Sequence, residues 1–146
     1  MGFPYLKCKI HLVLKDKLVA TDPLQAAEAA QEMNQALTIV DMTLVKNDAH
    51  LFWMEKLNVL EAHSKKIVEL MEVELQRQQF DFLSQAIIGT VKAFGVPQDV
   101  FYVQHCPMAN NDRGADWLSR EKEIRNPYFG DKMLTCGLVT DTISVE

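Results

Sequence analysis

Between Tyr5 and Phe94 the apolar residues return every three or four positions, a period that fits helices and rejects strands. Leu6, Ile10, Val13, Leu14 and Leu18 mark one buried stripe from Tyr5 to Ala20. The run Thr21-Asp22-Pro23-Leu24-Gln25 ends that helix and starts a second. Asp22 caps, Pro23 suits the first helical position because its missing N–H needs no partner there, and Gln25 completes a capping box. The second helix extends to about Val40. Asn47-Asp48 caps a third, long helix carrying Trp53, Leu57, Leu60, Ile67 and Leu70. A fourth starts near Val73, sets Phe80, Leu83, Ile87, Val91 and Phe94 on one face, and stops at Gly95 with Pro97 just beyond. Short connections make antiparallel neighbours, so the pattern predicts a mainly α fold: an antiparallel four-helix up-and-down bundle over about residues 5–95.

After Pro97 the texture changes. Val100-Phe101-Tyr102-Val103 and the stretch Leu138 to Val145 are rich in β-branched and aromatic residues and predict a short two-stranded β pair. Between them Gln104 to Gly137 is an irregular segment, interrupted by Asn110-Asn111-Asp112, Gly114, Pro127 and Gly130, with one helical turn expected around Trp117 to Glu123. Long irregular stretches inside a domain often carry function. The chain has 146 residues, the size of one domain, with no internal linker or repeat. The bundle and the C-terminal segment of about residues 98–146 are therefore read as parts of a single domain, 1–146.

Composition removes several functional classes. A formal charge of −5, with no basic cluster beyond Lys65-Lys66, argues against nucleic-acid binding, which relies on grouped Lys and Arg. No apolar run approaches the roughly 20 residues of a transmembrane segment, and Met1-Gly2-Phe3-Pro4 lacks the regions of a signal peptide.

Three cysteines, Cys8, Cys106 and Cys136, leave one over from any pairing and do not make a disulfide framework. Cys8 reads as a small buried hydrophobe. Soft donors concentrate at the two ends of the irregular segment, in His105-Cys106-Pro107-Met108 and Met133-Leu134-Thr135-Cys136. Thiolate and thioether sulfur select soft ions such as Cu(I), and thiolate with imidazole also suits Zn(II). Against this stands a plainer reading, in which Cys106 and Cys136 form a disulfide or two buried thiols and Met108 and Met133 fill core. Both readings require the two cysteines to meet; only the metal reading also requires the methionines and His105 to converge.

The remaining residues of interest read as structural. Met33, Met42, Met54 and Met71 are assigned to the bundle core, Trp53 and Trp117 to packing, and His11, His50 and His63 to surface or hydrogen-bonded positions. No nucleophile with a base, carboxylate pair or phosphate loop stands out, and Glu61-Ala62-His63 has the wrong spacing for a di-iron bundle. A thiol activity of Cys106 with His105 lacks an orienting third group. The chain reads as no enzyme.

Three motifs carry a resemblance: Tyr102 to Ala109, Gly114 to Ser119, and Ile124 to Gly137, the last reading Ile-Arg-Asn-Pro-Tyr-Phe-Gly-Asp-Lys-Met-Leu-Thr-Cys-Gly. With Leu18 to Asp22, Asp48-Ala49-His50 and Val91 to Gly95 upstream, they resemble a bacterial domain of unknown function. That domain is found in exported Bacteroidetes proteins and is appended to CusB-like heavy-metal efflux adaptors. The resemblance implies a periplasmic or exported setting and a heavy-metal efflux membrane fusion protein as partner. It also implies a soft ion, Cu(I) or Ag(I), with Cys106, Met108, Met133 and Cys136 as metal ligands and His105 as an auxiliary. The alternative is a structural or protein-interaction domain whose cysteines form a disulfide clasp.

Overall fold

Helices form where the apolar period places them. The computed structural model describes residues 3–37, 48–95 and 99–144, with side chains from residue 9 onward, and its four long helices are α1 (Phe3–Val19), α2 (Pro23–Leu37), α3 (Asp48–Glu69) and α4 (Val73–Phe94). Asp22 caps α2 by accepting the Gln25 N–H at 3.0 Å, as its position before Pro23 predicts. Glu72 does the same for α4 through the Glu74 N–H at 3.3 Å. Gly95, at φ +78°, ends α4 by donating to the Val91 carbonyl at 2.7 Å. The readings for Cys8, Met42, the Asn47 cap, the end of the second helix near Val40 and Pro97 lie outside the described residues.

Consecutive helices pack on one another and α4 returns to α1. Their shared core holds Leu14, Leu18, Met33, Trp53, Leu60, Ile67, Phe80, Leu83 and Ile87. On α2 the buried face is mostly alanine, Ala26, Ala27, Ala29 and Ala30, and small side chains let neighbouring helices approach closely. Two expectations change. Val13 is exposed, while Leu14 and Leu18 are buried as expected, joined by His11, Lys15 and Val19; His11 is accommodated by its hydrogen bond with Ser84 of α4. Met71 is 51% exposed because it falls in the connection between α3 and α4 and not on a helix face.

The C-terminal part is a three-stranded antiparallel sheet, not a two-stranded pair. Its strands are β1 (Val100–Cys106), β2 (Ala115–Ser119) and β3 (Leu138–Ser144), in the order β2-β1-β3. The expected pairing of β1 with β3 is present, with Phe101 opposite Ile143. The unexpected strand is β2, which overlaps the start of the predicted helical turn at residues 117–119 and sets Trp117 opposite Gln104. Five residues hold too little alternation to announce a strand; pairing with β1 supplies the order. Helices α1 and α4 pack against β2, so the sheet is seated on the bundle through that strand.

Candidate functional site

Strand alternation decides which sulfur and nitrogen donors can meet. Successive residues of β1 project to opposite faces, so His105 and Cys106 part company although they are adjacent in sequence. His105 lies across from Asp116 on β2, and its Nδ1 is 2.6 Å from Asp116 Oδ1. Its ring also rests against Gly114, where an added Cβ would come within 2.7 Å of His105 Cε1. Cys106, on the other face, is fully buried.

Cys106 meets Cys136 instead. The chain returns through a turn in which the Cys136 N–H donates to the Met133 carbonyl at 3.1 Å, and Asn126 Nδ2 holds the Cys136 carbonyl at 2.8 Å. Gly137 then lies so close to β1 that a Cβ would stand 2.9 Å from the His105 carbonyl oxygen. Only glycine permits that approach. The two sulfurs come to 3.1 Å and both thiols are free, Cys106 buried and Cys136 partly exposed. Hydrogen bonding to Cys106, with burial next, pushes the Cys136 thiol above its ordinary pKa. A disulfide needs a separation of about 2.05 Å. Two thiolates on opposite sides of a two-coordinate ion, each about 2.3 Å from it, stand roughly 4.6 Å apart. The observed spacing lies between the two states, about 1 Å from the disulfide and about 1.5 Å from the ion-bound pair.

Met108 and Met133 lie elsewhere, both among the residues that line a groove of about 930 Å³ between α4 and the loop that joins β1 to β2. Asp81, Gln78, Gln85 and Phe82 of α4 form one wall; Met108 to Gly114 form the other, with Tyr128 and Met133 between them. The loop wall is unusual. Asn110, Asn111 and Asp112 all have positive φ, at 54°, 57° and 66°, in a short turn, Ala109–Asp112. Asn and Asp tolerate this left-handed conformation better than other side-chain-bearing residues, but three in succession need support. Asn110 Nδ2 supplies it by donating to Asp81 Oδ2 at 2.6 Å. Burial raises the Asp81 pKa, opposed by its hydrogen bond from Gln85.

Residues that composition and spacing did not single out hold these parts in place. Arg77 of α4 is buried, and its guanidinium donates to the carbonyls of Pro127 (2.8 Å) and Leu18 (2.8 Å), to Thr21 Oγ1 (3.0 Å) and to Glu74 Oε1 (2.7 Å). It thereby ties the segment before Cys136 to the end of α1. Tyr128 donates to the Asp116 carbonyl at 2.6 Å, and His11 Nε2 lies 3.0 Å from Ser84 Oγ. His11 Nδ1 is buried without a hydrogen-bond partner. An arginine three residues after Glu74 was the available signal for the first group; nothing local announced the second.

The five sequence-predicted ligands therefore fall into three places: the Cys106–Cys136 pair, the methionine-lined groove, and His105 bound to Asp116. Among the described residues no group of three or more His, Cys, Asp and Glu is gathered to hold a metal. A tetrahedral zinc site of the kind thiolate and imidazole build thus has no donor set here. A pair of thiols suits a soft monovalent ion, which accepts two sulfur ligands. Among the described residues no helix is long and apolar enough to cross a membrane.

Residues 9–99 match a protein family described as Protein of unknown function (DUF3347). The matched range holds most of the helical part and stops just before β1, so all five predicted ligands lie beyond it. No curated protein and no solved structure matches the chain.

Proposed function

The chain belongs to the family described as Protein of unknown function (DUF3347), and from that premise we propose that it is a non-enzymatic module that binds a soft heavy-metal ion, copper or silver, through Cys106 and Cys136. The observation that carries this reading is the 3.1 Å approach of two free thiols, one buried and one reaching solvent. A buried sulfur gives the ion a dry ligand, and a partly exposed one gives it a way in. Arg77 of the bundle binds the segment that carries Cys136 at Pro127, and Tyr128 within that segment binds the β2 backbone at Asp116. The opposite projection of His105 and Cys106 supports the non-enzymatic reading, since the imidazole is turned away from the thiol it would have to activate.

A role in metal efflux, an envelope location and an efflux membrane fusion protein as partner belong to the same proposal, and rest on the resemblance of the C-terminal motifs. A second reading uses the same pair as a disulfide clasp in a protein-interaction domain, for which 3.1 Å is also a near approach.

Anaerobic titration of the reduced protein with Cu(I) against a competing chelator tests the proposal. One ion held tightly by the native chain and lost in Cys106→Ser and Cys136→Ser is the expected result. Equal retention by all three proteins, or binding by none, would remove the dithiol as the site.

A further inference from the structure

We propose that the groove between α4 and the β1–β2 loop binds a neutral saccharide, with Phe82 as the stacking platform for a sugar ring and the polar side chains around it as hydrogen-bond partners for its hydroxyls. The site is distinct from the dithiol, since neither cysteine borders the groove.

The α4 wall is one helical stripe. Gln78, Asp81, Phe82 and Gln85 recur at spacings of three and four, so they share the face that borders the groove. Phe82 is 46% exposed yet held in place. The His63 ring stacks against it at 4.5 Å with 13° between the planes, and His63 Nδ1 lies 2.6 Å from Gln79 Oε1. One face of the phenyl ring is therefore backed by a hydrogen-bonded imidazole. An aromatic face carries partial negative charge, which attracts the C–H bonds on the apolar side of a pyranose ring.

The opposite wall is fixed from the same helix. Asp81 accepts from Asn110 Nδ2 at 2.6 Å and from Gln85 Nε2 at 3.1 Å, which clamps the left-handed turn. That turn leads into Asn111, Asp112 and Arg113. Among the described residues the side chains of Gln78, Asn111 and Asp112 have no hydrogen-bond partner, and Arg113 uses only its Nε, on the Asn110 carbonyl at 3.3 Å. The unused set mixes donors with acceptors. A hydroxyl both donates and accepts, so a row of hydroxyls matches such a set, whereas an anion uses donors alone and a cation acceptors alone. Charge favours the same guest: Asp112 and Arg113 offset each other, and Glu74 is already paired with Arg77. The volume of about 930 Å³ falls in the range of small-ligand sites, roughly 300–1,000 Å³.

Saturation-transfer NMR on the full native chain tests this, with cellotetraose, maltotetraose and tetra-N-acetylchitotetraose as probes and tetra-alanine as the peptide comparison. At least one tetrasaccharide is expected to bind, with saturation strongest at its ring C–H protons. Phe82→Ala should weaken that binding about tenfold, and Phe82→Tyr should restore it. Asn111→Gly keeps the left-handed backbone, removes the amide, and should weaken binding as well. Gln78→Ala, at an exposed helix position, gives a third variant that leaves the core untouched. Binding of no tetrasaccharide overturns the proposal, as does sugar binding that all three weakening variants leave unchanged. Binding of tetra-alanine alone would make the groove a peptide site and overturn it too. Cys106→Ser/Cys136→Ser should bind the sugar as the native chain does, which keeps the outcome separate from the dithiol reading.

Discussion

Arg77 Nε donates to the carbonyl oxygen of Pro127 at 2.8 Å across fifty residues of sequence, and this bond fastens the C-terminal segment to α4. The same guanidinium reaches Leu18 and Thr21 at the end of α1, where Gly130 approaches so closely that a Cβ would lie 2.6 Å from Thr21 Oγ1. One buried side chain thus joins α1, α4 and the approach to Cys136.

Replacing Arg77 with Leu strands two buried carbonyls and removes charge-assisted bonds, at an expected cost of about 3 kcal/mol. Urea unfolding of Arg77→Leu against the native protein measures it. A change within experimental scatter would show that water replaces the guanidinium at no loss. The segment before Cys136 should also become the first site of limited proteolysis.

His11 makes stability depend on acid. Burial, assisted by Lys15, lowers its folded pKa from 6.5 to about 3, so the folded state holds it neutral while the unfolded chain protonates it. A lowered histidine pKa contributes stability that is fully present above 6.5 and is lost as pH falls toward about 3. At pH 4.5 the loss from this group is roughly 2 to 3 kcal/mol. The observable is the difference in slope between native protein and His11→Gln in stability measured from pH 7 to 4. Parallel curves would contradict the assignment.

Oxidation should join Cys106 and Cys136. Exchange with oxidised glutathione forms one intramolecular disulfide and releases two molecules of reduced glutathione. The closed loop spans thirty residues, worth about 3.5 kcal/mol in the chain-entropy account. A rise in melting temperature that dithiothreitol reverses, and that Cys136→Ser lacks, is the expected result. A lower melting temperature after oxidation would mean that the turn at Met133 to Cys136 strains to close.

Gly137→Ala probes the turn's fit. Its added methyl would meet the His105 carbonyl at 2.9 Å and the Trp117 ring at 3.2 Å, at a φ of +144°. A destabilisation of about 2 kcal/mol is expected, with slower disulfide formation because the turn is lifted from β1. Native-like cross-linking kinetics in this variant would show that Cys136 is positioned by Asn126 alone.

The helices were legible because their signals are local. A three-to-four period, a cap at Asp22 and a glycine stop at Gly95 each act within one or two turns of chain. Even there, His11 was invisible as a core residue, since only Ser84, seventy-three positions away, makes its burial tolerable. Strand β2 was missed because Ala115–Ser119 gains its order from β1, not from its own residues.

The chemistry divides in the same way. From the sequence alone came the four α-helical runs, the helix stops, the β character around Val100 and Leu138, and the set of soft donors. Only the tertiary structure decided how those donors are grouped. The pleat of β1 sends His105 and Cys106 to opposite faces, the close approach at Gly137 brings Cys136 to Cys106, and Met108 and Met133 border the groove beside α4 and not the thiol pair. Side-chain direction in a strand reverses with every residue and its consequences depend on the partner strand's register, a long-range property that donor spacing does not encode.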